Sequence, residues 1–346
     1  MLHLFPYKWN LTDGYPAKGI KKTDYNVFGT FICGGGSTMG YKLAGFNHLG
    51  GVEIDKKVAD VYNTNHKPKY LYIEDLRRFN KRNDLPKELY NLDLLDGSPP
   101  CSTFSMAGSR EKAWGKEKQF REGQKMQTLD DLVFVYCETI LKLLPKVFLL
   151  ENVKGIIQGN AKLYSKQIVK ILSEKYNVQV FCLNAASMGV PQKRERVFFI
   201  GHKKEFCLPK LKLEFNEVAI PFKQVASNTT KTDTFIEHSE KYTQYWKKAK
   251  KGSTVGLFHA SCKRLDENDV CYTIGAQGGY NHFHHSKCRQ LSNNEVCMVG
   301  TYPLDYNFTD LTWHYLIGMS VPPVMTAQIS NQIREQWLDK IQLTNN

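Results

Sequence analysis

The stretch that decides the fold is YNVFGTFICGGGSTMGYKLAG, residues 25–45. It opens with β-branched and aromatic side chains, which is typical of a buried strand. Gly34, Gly35 and Gly36 then permit a sharp turn and a close approach of the backbone to a ligand, and residues 38–45 have helical spacing. The stretch therefore predicts a strand, a ligand-facing glycine loop (residues 31–36) and a helix.

The same alternation of strand and helix continues to residue 201. Further strands are predicted at LGGVEID, KYLYIED, NLDLLDG, KVFLLEN, NVQVFCLNA and RVFFIG, and further helices at 55–64, 129–144 and 162–175. Because strands that alternate with helices form parallel sheets covered on both faces, we expect an α/β, Rossmann-like, mostly parallel sheet. The last two of its strands are joined without a predicted helix, so this pair should be antiparallel.

The charge balance indicates a polyanionic partner. The chain of 346 residues has 47 lysines and arginines against 34 acidic residues, a formal net charge of +13. Such an excess favours nucleic acid. The sequence shows no signal peptide and no apolar stretch long enough to span a bilayer, and its nine cysteines are scattered. We expect a soluble, cytoplasmic protein with reduced thiols and no membrane partner.

Possible metal ligands cluster in two segments, HASC (259–262) and HFHHSKC (282–288). Neither segment has the paired spacing of a structural zinc site. We therefore predict no metal and interpret these residues as polar loop side chains.

The character of the sequence changes near residue 202. Downstream, lysines alternate with aromatic residues at Lys241, Tyr242, Tyr245, Trp246, Lys247, Lys248, Lys250 and Lys251. This mixture suits contact with phosphates and bases, but a solvated helix face has a similar composition. We predict a first domain at 1–201, a smaller nucleic-acid-binding domain at 202–288, and a C-terminal segment at 289–346 that returns to the first domain.

Two reactive side chains follow neighbouring predicted strands. Cys101 comes after two prolines beyond the fourth strand, and Glu151 lies at the end of the fifth. Because ligands bind outside the carboxyl ends of parallel strands, both should face one cleft. Cys101 is either a nucleophile there or a half-buried thiol after a turn.

Acidic residues at two other strand ends suggest a cofactor that contains adenosine. Glu53 can accept hydrogen bonds from ribose hydroxyls, and Asp75 can bind an adenine amino group. These features suit NAD, FAD and S-adenosylmethionine alike, although the G-x-G-x-x-G spacing of a dinucleotide site is missing.

Five motifs follow one another in a fixed order: TFICGGGS (30–37), PPCSTFS (99–105), ENV (151–153), QKRER (192–196) and LIGMSVPP (316–323). In this order the chain resembles the C5-cytosine DNA methyltransferases of prokaryotic or phage type. The resemblance implies a class I methyltransferase sheet, a target-recognition domain at 202–288 and a restriction-modification-like role. It also implies S-adenosylmethionine as methyl donor, S-adenosylhomocysteine as product, double-stranded DNA as partner and action as a monomer.

The resemblance assigns roles to individual residues. Cys101 would add to C6 of a flipped-out cytosine, while Glu151 would hold the N3 and amino edge of the base. Arg196 would contact the O2 carbonyl, and Arg194 would organise the cleft. The residues implied to bind the cofactor are Ile32, Gly34, Gly36, Glu53, Ile54, Asp75, Leu76, Pro100, Leu132, Ser320 and Val321.

Four residues depart from the family pattern. Thr30 replaces the usual aspartate, Ile32 an aromatic residue, Ser102 a glutamine and Met319 an asparagine. These departures bear on cofactor affinity more than on the chemistry. Two alternatives stay open: a tRNA cytosine-5 methyltransferase of the same fold, and a catalytically silent DNA-binding partner.

Overall fold

The computed structural model describes residues 3–100, 131–226, 240–256, 262–276 and 282–344. Across these ranges the main sheet consists of β1 (Asn26–Thr30), β2 (Asn47–Glu53), β3 (Tyr70–Ile73), β4 (Leu94–Gly97), β5 (Val147–Val153), β6 (Tyr176–Asn184) and β8 (Glu195–Lys203). The strand order is β3-β2-β1-β4-β5-β8-β6. Strands β1 to β5 are parallel, whereas β8 runs antiparallel to both β5 and β6. The predicted fold class, including the final antiparallel pair, is confirmed.

Helices cover both faces of this sheet. Those described are α1 (Gly36–Leu43), α2 (Lys56–His66), α3 (Leu76–Asn80), α4 (Leu132–Leu143), α5 (Lys162–Leu172), α6 (Glu240–Lys248), α7 (Asn293–Val299), α8 (Trp313–Met319), α9 (Pro323–Ile333) and α10 (Asp339–Thr344). A π-helical turn, Arg334–Leu338, joins the last two. One apolar core contains side chains of α1, α2 and α7 to α10, and a second contains those of α3 to α5. The sheet is thus buried on both sides, as its continuous apolar strands predict.

The helix predicted at 129–144 is α4, and its ends differ slightly from the prediction. The helix begins at Leu132, and residues 129 and 130 lie outside the described ranges. It ends because Leu144 takes a left-handed conformation, with φ of 47°, directly before Pro145. Five apolar side chains are buried at the predicted helical spacing, those of Leu132, Val133, Tyr136, Ile140 and Leu143, whereas Leu144 is 39% exposed.

The predicted second domain, residues 202–288, has a small core of its own and is called the second region. Strand β9 (Lys263–Arg264) pairs with β11 (His282–Phe283), while β10 (Cys271–Tyr272) pairs with β7 (Gln192–Lys193) of the first region. Trp246 is 8% exposed, and the guanidinium of Arg264 lies 3.9 Å from the centroid of its ring. Trp246 is therefore a packing residue, while Lys247, Lys248 and Lys250 stay exposed. The predicted domain boundaries stay a prediction.

The C-terminal segment returns to the first helix through a close contact at Gly40. A β-carbon at Gly40 would lie 2.5 Å from the carbonyl oxygen of Pro323 and 2.5 Å from Cβ of Thr326. Only a residue without a side chain permits α1 and α9 to approach this closely.

We predict that Gly40→Ala destabilises the protein by about 1–3 kcal/mol, because its methyl group would overlap the backbone of α9. Helix propensity acts in the opposite direction, since alanine is favoured over glycine by about 1 kcal/mol. Urea unfolding measures the difference, and Lys57→Ala at an exposed position of α2 is the control. A more stable Gly40→Ala variant would contradict the close contact.

Candidate active site

The glycine loop has an unusual backbone. Phe31, Cys33 and Gly35 have positive φ angles of 55°, 47° and 76°. Two of these residues carry side chains, so the loop holds strain that its surroundings must offset. The amide of Ile32 donates to Val52 O at 3.3 Å, and that of Gly35 donates to Ile32 O at 2.9 Å. These hydrogen bonds anchor the tight turn to the end of β2.

Glu53 lies beside the glycine loop, as the sequence predicts, and its carboxylate already binds backbone. One oxygen accepts a hydrogen bond from the Cys33 amide at 3.0 Å, and the other accepts one from the Asp55 amide at 2.9 Å. Burial raises the pKa of Glu53, and the two amides counteract this shift. Glu53 thus orients the loop, and the second lone pair on each oxygen remains for a ligand hydroxyl.

The far end of the chain completes the wall of the glycine loop. A β-carbon at Gly36 would lie 2.4 Å from Val321 O and 2.8 Å from Ser320 Cβ, so these predicted residues meet. Two tyrosines that the sequence analysis missed hold this junction. Tyr302 Oη donates to Ser320 Oγ at 2.6 Å, and Tyr306 Oη donates to Gly34 O at 2.6 Å. The sequence assigns neither tyrosine a role at the glycine loop, because only the fold brings them to it.

Three apolar residues predicted to bind the cofactor have their side chains in the core. Ile32 is 8% exposed, and β-carbons at Gly29 and Gly51 would collide with its Cγ2 atom. Leu76 and Leu132 are 3% and 4% exposed. Each can therefore offer a ligand little more than its backbone.

Ile54, Pro100 and Asp75 have different surroundings. Ile54 is 42% exposed and adjoins Glu53, where an apolar side chain can cover a flat ring. Pro100 is partly exposed at the end of a described range. Asp75 caps α3 by accepting a hydrogen bond from the Arg77 amide at 2.7 Å and pairs with the Arg77 guanidinium at 3.0 Å. Its carboxylate is therefore already engaged by its neighbour.

The structure brings Glu151 and Arg196 together. Arg196 Nε lies 3.0 Å from Glu151 Oε1, and Glu151 is 8% exposed. The pairing of Glu151 with Phe198 and of Val153 with Arg196 places both charged residues on one face of the antiparallel pair. Burial lowers the pKa of Arg196, and the Glu151 carboxylate opposes that shift. Cys101 lies outside the described residues, but Asn152 Nδ2 donates to Pro99 O at 3.4 Å, two residues before this predicted nucleophile.

Arg194 is 2% exposed and binds backbone carbonyls from two distant segments. Its guanidinium donates to Ile274 O at 3.1 Å and to Gly318 O at 2.9 Å, and Gln192 Oε1 lies 3.5 Å away. Burial lowers its pKa well below the usual range. Arg194 thus connects the second region and the C-terminal segment to the strand that carries Arg196.

Asp96, which the sequence analysis did not consider, is a buried acid one residue before the end of β4. It is 4% exposed, and Tyr41 Oη of α1 donates to its carboxylate at 3.1 Å. Thr30, at the family's aspartate position, donates to Asp96 O at 3.3 Å. Burial raises the pKa of Asp96 from 3.8 to about 7, and the nearby Glu151 carboxylate adds to this shift.

The amino-acid sequence matches the C-5 cytosine-specific DNA methylase family over residues 25–335. The chain belongs to this family. It is 26% identical to the type II methyltransferase M.DdeI of Desulfomicrobium norvegicum, over 92% of this chain and 91% of that protein. It is 33% identical to the type II methyltransferase M.Sau96I of Staphylococcus aureus, over 58% of this chain and only 44% of that protein.

Solved structures share the fold of this chain at low sequence identity. A prophage-encoded Escherichia coli protein has a TM-score of 0.70 at 21% identity, over 90% of this chain and 99% of that chain. A Spodoptera frugiperda DNMT2 variant has a TM-score of 0.65 at 15% identity, over 90% of this chain and 99% of that chain. In the part of the chain that the structure describes, no group of three metal-ligating side chains occurs and no helix is long and apolar enough to cross a membrane.

We predict that Asp96→Asn changes how stability depends on pH. The pKa of the Asp96 carboxyl is 3.8 in the unfolded chain and about 7 in the folded protein, so the unfolded chain loses this proton first as pH rises. The stability that the protonated carboxyl contributes is therefore complete below pH 3.8 and is lost as pH rises to about 7. Relative to Asp96→Asn, which keeps the acceptor for Tyr41 but cannot ionise, the wild type should lose stability over this window. Urea unfolding of both proteins across that pH range measures the effect. If the free energies of unfolding of the two proteins changed with pH in parallel, Asp96 would not be a buried acid that stays uncharged in the folded protein.

Proposed function

We propose that the methylase is a DNA (cytosine-5)-methyltransferase that uses S-adenosylmethionine and releases S-adenosylhomocysteine. The observation that carries this proposal is the pair of Glu151 on β5 and Arg196 on β8, whose Oε1 and Nε atoms lie 3.0 Å apart. Strand β5 adjoins β4, which the Pro-Pro-Cys segment follows. Cytosine presents an amino donor and two acceptors, N3 and O2, along one edge. A carboxyl group can bind the amino group and N3 while a guanidinium donates to O2. The two side chains therefore match the base edge as a unit.

The residues around the glycine loop fit the cofactor in chemical type. Glu53 supplies a carboxylate for ribose hydroxyls, and the exposed Ile54 supplies an apolar surface for adenine. Gly34 and Gly36 keep the backbone free of side chains where the C-terminal segment closes the loop. When bound, S-adenosylmethionine supplies an electrophilic methyl group.

Cys101 is the proposed nucleophile. C5 of cytosine is a weak nucleophile, and addition of the Cys101 thiolate to C6 turns the ring into an enamine whose C5 can accept a methyl group. Glu151 supplies a proton at N3, and Arg196 stabilises negative charge on O2. Removal of the C5 proton by a base then forms the C5–C6 double bond and breaks the bond between sulfur and C6. This releases the Cys101 thiolate, and N3 returns its proton to Glu151.

Duplex DNA is the proposed substrate, and region 202–288 is the proposed recognition domain. The chain carries a formal charge of +13, and Lys247, Lys248 and Lys250 are exposed near the end of α6. Because the target base lies inside a duplex, it must be flipped out to reach Glu151. We infer that the protein acts as a monomer in the cytoplasm, with one recognition domain for each catalytic domain.

The first test measures transfer of labelled methyl groups to mixed duplex DNA by the wild type and by Cys101→Ser. We expect 5-methylcytosine with the wild type and a loss of more than about 10³-fold with the variant. Binding of S-adenosylhomocysteine, measured by calorimetry, should be retained in the variant. A fully active Cys101→Ser would end the covalent mechanism, and labelled tRNA with unlabelled DNA would identify an RNA enzyme instead.

We predict that Glu151→Gln lowers kcat by about 10²–10⁴-fold with little change in DNA affinity, because the amide cannot supply a proton at N3. Single-turnover methylation and DNA-binding titrations measure the two quantities. Glu195→Gln is the matched control, since Glu195 lies next to Arg196 but pairs with Lys154 at an exposed site. Equal losses in both variants would show that charge near Arg196, rather than the Glu151 proton, determines the rate.

A further inference from the structure

A recess of about 420 Å³ opens at the amino ends of β2 and β3. It is bordered by the C-terminal residues of α1 and α2 and by the segment around Tyr15. Thr30, Gly97 and Glu151 mark the opposite, carboxyl edge of the sheet, because parallel strands share one direction. The recess therefore opens at the other edge of the sheet from the proposed cofactor and DNA sites, and His66 lies between the recess and the glycine loop. We call it the lysine pocket, after Lys22, Lys42, Lys67 and Lys69.

The charges around the lysine pocket are unbalanced. Glu88 supplies a carboxylate at the border of the lysine pocket. This carboxylate already accepts hydrogen bonds from Lys69 Nζ and Tyr70 Oη, each at 2.6 Å. Among the described residues, no carboxylate forms an ion pair with Lys22, Lys42 or Lys67. Burial lowers the pKa of Lys42, whose ammonium lies 3.5 Å from His66 O. An anion in the pocket would relieve this accumulation of positive charge.

Two buried polar side chains at the pocket also lack partners. Within the part of the chain that the structure describes, Tyr15 Oη and both ring nitrogens of His66 make no hydrogen bond of ordinary geometry. His66 is 7% exposed, and its ring packs against the glycine loop, since a β-carbon at Gly35 would lie 2.2 Å from Nε2. The Gly34 carbonyl near this ring already accepts a hydrogen bond from Tyr306 Oη at 2.6 Å. Burial and the charge of Lys42 lower the pKa of His66 to about 3, so the neutral ring keeps one N–H donor. Buried donors without partners destabilise a fold unless a ligand or water satisfies them.

We propose that the lysine pocket binds a small phosphate-bearing anion of about the size of pyrophosphate or a mononucleotide. Lysine ammonium groups bind phosphate oxygens as point charges, and Tyr15 Oη and His66 add neutral donors. The volume lies in the range of small-molecule sites. Lys42 and Lys67 also lie at helix C-termini, where the helix dipole attracts cations. This attraction explains the position of the two lysines, but it leaves the donors of Tyr15 and His66 unsatisfied.

The test is calorimetric titration of the full-length protein with pyrophosphate at low ionic strength. The double variant Lys22→Gln, Lys67→Gln should bind pyrophosphate at least about tenfold more weakly than the wild type. The control Lys57→Gln, Lys81→Gln removes the same charge from exposed positions outside the pocket and should bind within about twofold of the wild type. Imidazole resonances of His66 should shift on titration, while those of His202 on β8 should not.

Three results would overturn the proposal. One is a wild-type protein that shows no saturable pyrophosphate binding. The second is an equal loss in both double variants, which would mean that net charge alone attracts the anion. The third is that Lys22 and Lys67 are needed for binding short duplex DNA but not for binding pyrophosphate. The pocket would then bind the DNA backbone instead of a small anion. Retained binding of S-adenosylhomocysteine by each variant establishes that it is folded.

Discussion

The hydrogen-bond register between β1, β4 and β5 is the constraint on which the rest of the site depends. It aligns Thr30 with Gly97 and Gly97 with Leu150, so β1 and β4 end at the same level while β5 continues to Val153. The glycine loop follows β1, the Pro-Pro-Cys segment follows β4, and Glu151 comes directly after Leu150 within β5. Because side chains alternate between faces, a slip of one residue between β5 and β8 would move Glu151 away from Arg196. The chemistry of the cleft therefore requires a backbone register that no single side chain determines.

The second constraint is closure of the chain on itself. Gly36 and Gly40 of α1 meet the backbone near residues 321 and 323, about 280 residues later in the sequence. Tyr302 and Tyr306 add hydrogen bonds at the same junction, to Ser320 and to Gly34. The strained backbone at Phe31 and Cys33 persists because these contacts hold it from several sides. The last segment is thus part of the wall of the candidate cofactor site.

Buried charge is concentrated around the candidate active site. Arg194, Arg196, Glu151 and Asp96 are all largely buried within a short distance of the ends of the strands. Burying such groups costs free energy that Arg194 offsets with backbone carbonyls and Arg196 offsets with Glu151. Asp96 has no cationic partner among the groups that shift its ionisation, so burial raises its pKa to about 7 although the hydrogen bond from Tyr41 Oη opposes this shift. Groups with perturbed ionisation are characteristic of functional sites.

The sequence by itself determined the sheet, its final antiparallel pair and the placement of Glu53 and Glu151 at strand ends, because hydrophobic period and glycine positions are local properties. It indicated the family through five motifs in order. Only the tertiary structure decided which partners these residues have: Arg194 binds the carbonyls of Ile274 and Gly318, and Tyr306 binds Gly34. Burial and partner choice depend on contacts between residues far apart in the chain, and no local pattern encodes those contacts.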